Sequence, residues 1–321
     1  MRKLLFLAGL CVAGSGGLGL KAGHAQDFPN KPIRIVTSGI GGSADFASRV
    51  IAHGLTAALC QQVIVDNRPN GPIPGEIVAR AAPDGYTLLV SANSLWMGKL
   101  LQAAISYDPM KDFTPVTLAT TSPNVLLVPP ALPVHSVKDL IALAKTRPGQ
   151  LNYGSGAAGA SSHLAAELLK AMAGINLVRI PYKSNASQIA DLIGGQIQLM
   201  FSNATAAPPH IKSGRLRALA VTTPQPSALF PELPTVAATV PGYESAVING
   251  VLAPARMPAP LIMRLNQEIV RAINAPDARA RLAPAGVEAV GSTPETLAGI
   301  IKTEVAKWSK IIKETGMRAQ E

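Results

Sequence analysis

The sequence predicts an α/β protein of two lobes around a central cleft, each lobe a sheet covered by helices. Three observations carry this. Short β-branched runs alternate with longer helical patterns, the order expected of strands covered by crossover helices. Two glycine-rich turns, each between a strand and a helix, stand in matching positions of the two halves. A helical tail then follows the second half, so the chain is expected to cross between lobes more than once.

In the first half, 33–37, 63–66 and 87–91 read as strands, and 45–59 and 77–82 as helices. Pro69, Pro72 and Pro74, then Pro83-Asp84-Gly85, punctuate them as helix breakers. This alternation predicts a parallel sheet. A second unit begins near Asn124. Its strands are 125–128, 151–153, 177–180, 197–201 and 216–222, and its helices are 137–145, 162–173 and 186–193. Beyond Gly250, the segments 258–273, 277–282 and 294–315 are helical in pattern. In the last of these, Leu297, Ile300, Ile301, Val305, Trp308, Ile311 and Ile312 recur at steps of three and four, an apolar stripe for core packing.

Ahead of these elements lies an export signal. Arg2 and Lys3 form a positive start, residues 4–20 are apolar and glycine-interrupted, and Ala22-Gly23-His24-Ala25 supplies small residues for cleavage after Ala25. The apolar run is short for a membrane span of roughly 20 residues. Leu10 before Cys11 does not fit a lipobox. Residues 1–25 are therefore expected to be removed, leaving a soluble periplasmic protein with Cys60 as its one cysteine and no internal disulfide.

Without Arg2, Lys3 and Lys21 the chain keeps 26 Lys and Arg against 19 Asp and Glu, a net charge of about +7. These bases are scattered and no aromatics interleave with them, so the charge favours anions without forming a nucleic-acid footprint.

The two turns concentrate the chemistry. The first is Ser38-Gly39-Ile40-Gly41-Gly42-Ser43-Ala44-Asp45, after the strand 33–37. Glycine lets the backbone come close to a ligand. Ser43 reads as the N-cap, and the helix it opens offers free N–H groups and a positive dipole end, an anion site. Asp45 serves either that dipole or the ligand. The second turn, Gly154-Ser155-Gly156-Ala157-Ala158-Gly159-Ala160-Ser161-Ser162-His163, has the same design with a serine cap. His163 reads either as a packing or capping histidine or as part of the ligand shell. Two helix N-termini, one from each lobe, would pinch a carboxylate between them.

Enzyme chemistry has one competing reading. Gly39-x-Gly41-x-x-Ala44 fits a relaxed dinucleotide fingerprint, and Asp66 ends the next strand where a ribose would bind, as in an NAD-dependent oxidoreductase. Export weighs against it, and no proton-donor constellation follows. No Ser occupies a G-x-S-x-G elbow, since Tyr153 replaces the first glycine around Ser155. His53, His135, His163 and His210 are isolated and form no metal spacing. No catalytic residue, metal or cofactor is expected.

Several short segments, in order, carry a family resemblance. They include Phe28-Pro29-Asn30-Lys31-Pro32-Ile33, Gly41-Gly42-Ser43-Ala44-Asp45, Val65-Asp66-Asn67-Arg68-Pro69 and Ala82-Pro83-Asp84-Gly85-Tyr86-Thr87. Ser162-His163-Leu164-Ala165-Ala166-Glu167, Ile180-Pro181-Tyr182-Lys183, Asp191-Leu192-Ile193-Gly194-Gly195 and Leu233-Pro234-Thr235-Val236 continue the pattern. Ala253-Pro254-Ala255 and Glu304-Val305-Ala306-Lys307-Trp308 complete it. With these segments the chain resembles the tripartite tricarboxylate transporter substrate-binding family, the Bug-type receptors, over the whole mature length.

The resemblance implies a type II periplasmic binding protein fold that closes on a carboxylate-containing solute, held largely through backbone N–H groups and ordered waters. It implies a monomer that hands its ligand to a membrane permease or reports it to a sensor kinase. Lobe 1 would comprise 26–123 and 249–321, and lobe 2 would comprise 124–248. The implied ligand contacts are Ser38, Gly39, Ile40, Gly41, Gly42, Ser43 and Asp45 from the first turn. Ser155, Gly156, Ala157, Gly159, Ala160, Ser161 and His163 come from the second, with Asn203 just beyond the strand 197–201. The chain departs from the family at Gly39-Ile40, where a proline usually precedes the glycine pair, and at Asn70-Gly71-Pro72-Ile73-Pro74-Gly75. It departs again at Gly156-Ala157 and at Ile248, where an aromatic is frequent. These changes bear on which carboxylate fits.

Overall fold

The computed structural model describes residues 28–315 except Asn70, Ala103, Ala104, Ala228 and Leu229. The export signal, Cys11 and the cleavage site near Ala25 lie outside the described residues, as does Asn70 of the departing loop.

The first half runs β1 (Ile33–Thr37), α1 (Ser43–Leu59), β2 (Val63–Asn67), α2 (Ile73–Ala79), β3 (Thr87–Ser91), α3 (Ser94–Leu101) and β4 (Phe113–Ser122). The second runs β5 (Asn124–Val128), α4 (Val137–Thr146), β6 (Asn152–Ser155), α5 (Ser161–Ala173), β7 (Val178–Pro181), α6 (Asn185–Ile193), β8 (Leu199–Asn203), α7 (Pro208–Lys212) and β9 (Arg217–Val221). The chain returns through β10 (Val247–Pro254), α8 (Ala259–Asn274), α9 (Pro276–Leu282), β11 (Glu288–Ala289) and α10 (Pro294–Thr315).

Two sheets result, one per lobe. The first has the order β11-β4-β10-β3-β1-β2 and the second β7-β6-β8-β5-β9. Only Pro123 separates β4 of the first sheet from β5 of the second, a residue that has no N–H to continue a ladder. The expected parallel sheet needs correction. β1 is parallel to β2 and β3, but β10 runs antiparallel to both β3 and β4. The cause is topological: β10 re-enters the first sheet from the other lobe, so it arrives from the opposite end.

Strands β5 and β10 are buried at every position, as expected of strands covered on both faces. The apolar stripe of α10 behaves as its spacing requires. Leu297, Ile301 and Trp308 are buried, and Ile300, Val305, Ile311 and Ile312 pack against the same core. Trp308 also donates its indole N–H to Glu304 Oε2 at 3.2 Å. The first-half helix expected at 77–82 instead spans Ile73–Ala79, with Pro74 in its first turn, where a missing N–H costs nothing.

Candidate functional site

The first turn bends at Gly41, which sits at φ 84°, a conformation open to glycine. Its N–H donates to Asp45 Oδ2 at 3.0 Å. Asp45 also accepts from Asn67 Nδ2 at 2.8 Å and pairs with Arg49 at 3.0 Å. Burial raises the Asp45 carboxyl pKa, but the donors from Gly41, Asn67 and Arg49 outweigh it and hold it below the usual carboxylate value. Asp45 is thus the internal brace of the turn.

Ser43 is not the N-cap the sequence led us to expect. Gly42 holds that position in extended conformation and makes no side-chain cap. Ser43 is the first helical residue, and its hydroxyl donates to Asn249 Oδ1 on β10 at 3.2 Å. The amides of Ser43, Ala44 and Asp45, three of the helix's first-turn donors, find no acceptor among the described residues; the first amide bonded back into the helix is Phe46, to Gly42 O.

The second turn repeats this arrangement. Ala160, not a serine, is the N-cap of α5 and offers no side-chain bond. Ser161 is again the first helical residue, and its hydroxyl donates to Asn124 Oδ1 at 3.3 Å. Here too the bonded ladder begins only at Leu164, to Ala160 O. The Ser43–Asn249 and Ser161–Asn124 pairs anchor each helix start to a strand beside a crossover between lobes.

Behind the second turn, Gly159 N–H donates to His163 Nδ1 at 3.1 Å. His163 is 1% exposed. Burial, with Arg179 and Lys170 nearby, lowers its pKa to about 3, so the imidazole is neutral with its proton on Nε2. Ser155 Oγ accepts from Arg179 Nε at 2.7 Å, and Gly156 O accepts from Arg179 Nη2 at 2.8 Å.

The two helix starts face one cavity of about 100 Å³. Pockets for drug-sized ligands run from about 300 Å³ upward, so this volume suits a small metabolite. Of the expected residues, Ser38, Gly39, Ile40, Gly42, Ser43, Gly156, Ala157, Ala160, Ser161 and Asn203 line it. Gly41 lies on a neighbouring groove with Ile40. Asp45, Ser155, Gly159 and His163 stand behind the wall as its support.

Sequence reasoning missed Ser91, Ala92 and Ser94, which come from a third strand-to-helix turn, and Asn185 and Gln188 on α6. Ser91-Ala92-Asn93-Ser94 carries the same small-residue signature without glycine, the signal that was available. Gly71 and Pro74 of the departing loop also reach the wall. A larger recess of about 550 Å³, lined by Ser122, Pro123 and Thr223 among others, lies at the crossovers and contains none of the expected residues.

None of the described residues that line the cavity carries a charged side chain. Each helix N-terminus is equivalent to roughly half a positive elementary charge, so two supply about one. The nucleotide reading fails on the same ground floor. Asp66, its ribose ligand, is committed to Arg34 (Nε at 2.7 Å) and Arg68 (Nη2 at 3.0 Å). Burial raises the Asp66 pKa, yet these two guanidinium groups bring it below the usual value.

Comparison with known proteins agrees with this geometry. Residues 47–317 match the model of the tripartite tricarboxylate transporter family receptor. BugT of Bordetella pertussis is 35% identical over 326 residues, covering 99% of both chains. The structure of R. palustris Rpa4515 with adipate superposes with a TM-score of 0.86 at 35% identity, covering 91% of this chain and 99% of that one. MatC from Rhodopseudomonas palustris with bound malate gives 0.83 at 26% identity, over 89% and 100% of the chains. The chain therefore belongs to the tripartite tricarboxylate transporter family of receptors: it is a periplasmic solute-binding protein of two lobes, and not an enzyme.

Proposed function

We propose that this receptor captures a small carboxylate-containing metabolite between the first turns of α1 and α5 and delivers it to a membrane permease. One observation carries the reading: two helix N-termini without side-chain caps, one from each sheet, face a single cavity whose described lining residues carry no charge. The amides of Ser43 and Ala44 on one side and of Ser161 and Ser162 on the other supply the donors. Gly42 and Gly156 keep the approach open, and Asn185, Gln188 and Asn203 offer uncharged amides to the rest of the solute. Relatives solved with adipate and with malate support a carboxylate.

The division into lobes at 123/124 and 248/249 belongs to this proposal and is supported by the strand membership of the two sheets. A ligand that touches both lobes favours the closed arrangement by its differential affinity. The mature receptor acts as a monomer after cleavage near Ala25. The test is thermal unfolding of residues 26–321 against mono-, di- and tricarboxylates, acidic amino acids, nicotinate and NAD. Ligands of the folded state raise the midpoint by mass action. A shift with one or a few carboxylates is the expected result, and a shift with NAD alone overturns the reading.

A further inference from the structure

Arg179 on β7 is 7% exposed. Its guanidinium holds Ser155 Oγ and Gly156 O, and among the described residues it makes no ion pair. Glu167 acts on it electrostatically without contact, and that carboxylate is already engaged by Lys170 Nζ at 2.7 Å and by the Tyr153 hydroxyl. A buried cation without a contacting anion is costly unless some other negative charge compensates it.

The place of this cation is informative. Gly156, whose carbonyl it grips, lines the cavity, so the positive charge stands one residue behind the wall. The positive end of α5 opens beside it at Ser161. Two positive sources of one lobe thus converge on the same small volume, where the local dielectric is low and charges are felt strongly. Repulsion between them is relieved when an anion enters the cavity.

Resting on the carboxylate reading above, we infer that Arg179 is the buried charge that makes the second turn select carboxylates over neutral solutes. It is a positioning residue: it acts through Ser155 and Gly156, which it holds, and through its field. Among the described residues the first turn shows no equivalent: Arg49, which meets it, spends its charge on Asp45.

Titration calorimetry on the mature chain tests this, using adipate, malate and nicotinate, each beside its neutral amide. Arg179→Gln keeps donors for Ser155 and Gly156 while removing the charge. It is expected to weaken carboxylate binding by on the order of tenfold or more and to change amide binding little. Arg179→Lys restores the charge and with it the carboxylate-to-amide preference. A purely structural role would lower both ligand classes together in both variants, and that result overturns the inference. So does carboxylate binding by Arg179→Gln as tight as by the wild type, which leaves the receptor reading intact. A wild-type protein that binds none of the carboxylates removes both.

Discussion

Replacing Gly42 with valine separates what the first turn does for a ligand from what it does for the fold. Gly42 sits at φ −82°, which any L-residue adopts. A Cβ there would meet Gly39 O at 3.6 Å and Ser38 Oγ at 3.8 Å, ordinary contact distances. The folding cost is therefore mainly the poorer N-cap preference of valine, about 1 kcal/mol, or a fall of ~2–4 °C in melting temperature. The binding cost is larger. Gly42 lines the cavity beside the amides of Ser43 and Ala44, and a branched side chain blocks the approach to both. Charge-assisted hydrogen bonds contribute roughly 1.5–3 kcal/mol each, so losing two costs about 3–6 kcal/mol, a weakening of about 10²- to 10⁴-fold. Titration calorimetry with the carboxylate that most raises the wild-type midpoint reads this directly, with a thermal melt as the folding control. An affinity within about threefold of wild type, with a near-normal melt, would refute the role given to this turn.

Three further outcomes are expected. Asp45→Asn leaves Gly41 N–H and Arg49 with a weaker, neutral partner, so stability should drop by about 1–3 kcal/mol and ligand affinity with it; urea unfolding and calorimetry check both. Gly159→Ala should cost about 2–4 kcal/mol, from a left-handed φ of 78° and a Cβ placed 2.8 Å from Met97 Cβ on α3. Because this contact joins the second turn to the first lobe, solution scattering should also show a more open molecule with ligand present; an unchanged radius would count against that contact holding the lobes together. The third concerns pH. His163 titrates near 6.5 when unfolded but only at about 3 when folded, so the unfolded chain binds a proton that the folded one refuses. Stability should fall as pH drops below 6.5, by up to about 1.4 kcal/mol per unit. His163→Asn should flatten the pH 4.5–6.5 window, and an unchanged slope there would reject the assignment.

Much of the fold was legible because its signals are local. β1 and β3 begin and end where their β-branched runs do, and the tail stripe of α10 buries the residues its spacing selects. What escaped was fixed by distant partners. Residues 94–101, Ser94-Leu95-Trp96-Met97-Gly98-Lys99-Leu100-Leu101, form α3 but show little polar periodicity, since Leu95, Trp96 and Met97 are all buried. Strands β4 and β10 escaped as well: Pro115 interrupts one run and Asn249-Gly250 the other, and each is paired with the other from a distant part of the chain. The serine N-caps were misassigned for a related reason: Ser43 and Ser161 serve Asn249 and Asn124, 206 and 37 residues away, and no local pattern announces such a bond.

The sequence by itself determined the two glycine-rich turns, the helices they open and the class of ligand such helix ends attract, because each rests on backbone geometry within a few residues. Only the tertiary structure decided that both helix starts face one cavity, and that Asp45, Ser155 and His163 brace the wall. It alone shows a buried arginine standing behind that wall. Those outcomes depend on which side chains arrive from elsewhere in the chain to take up hydrogen bonds and exclude water, and that is settled only when the two sheets pack.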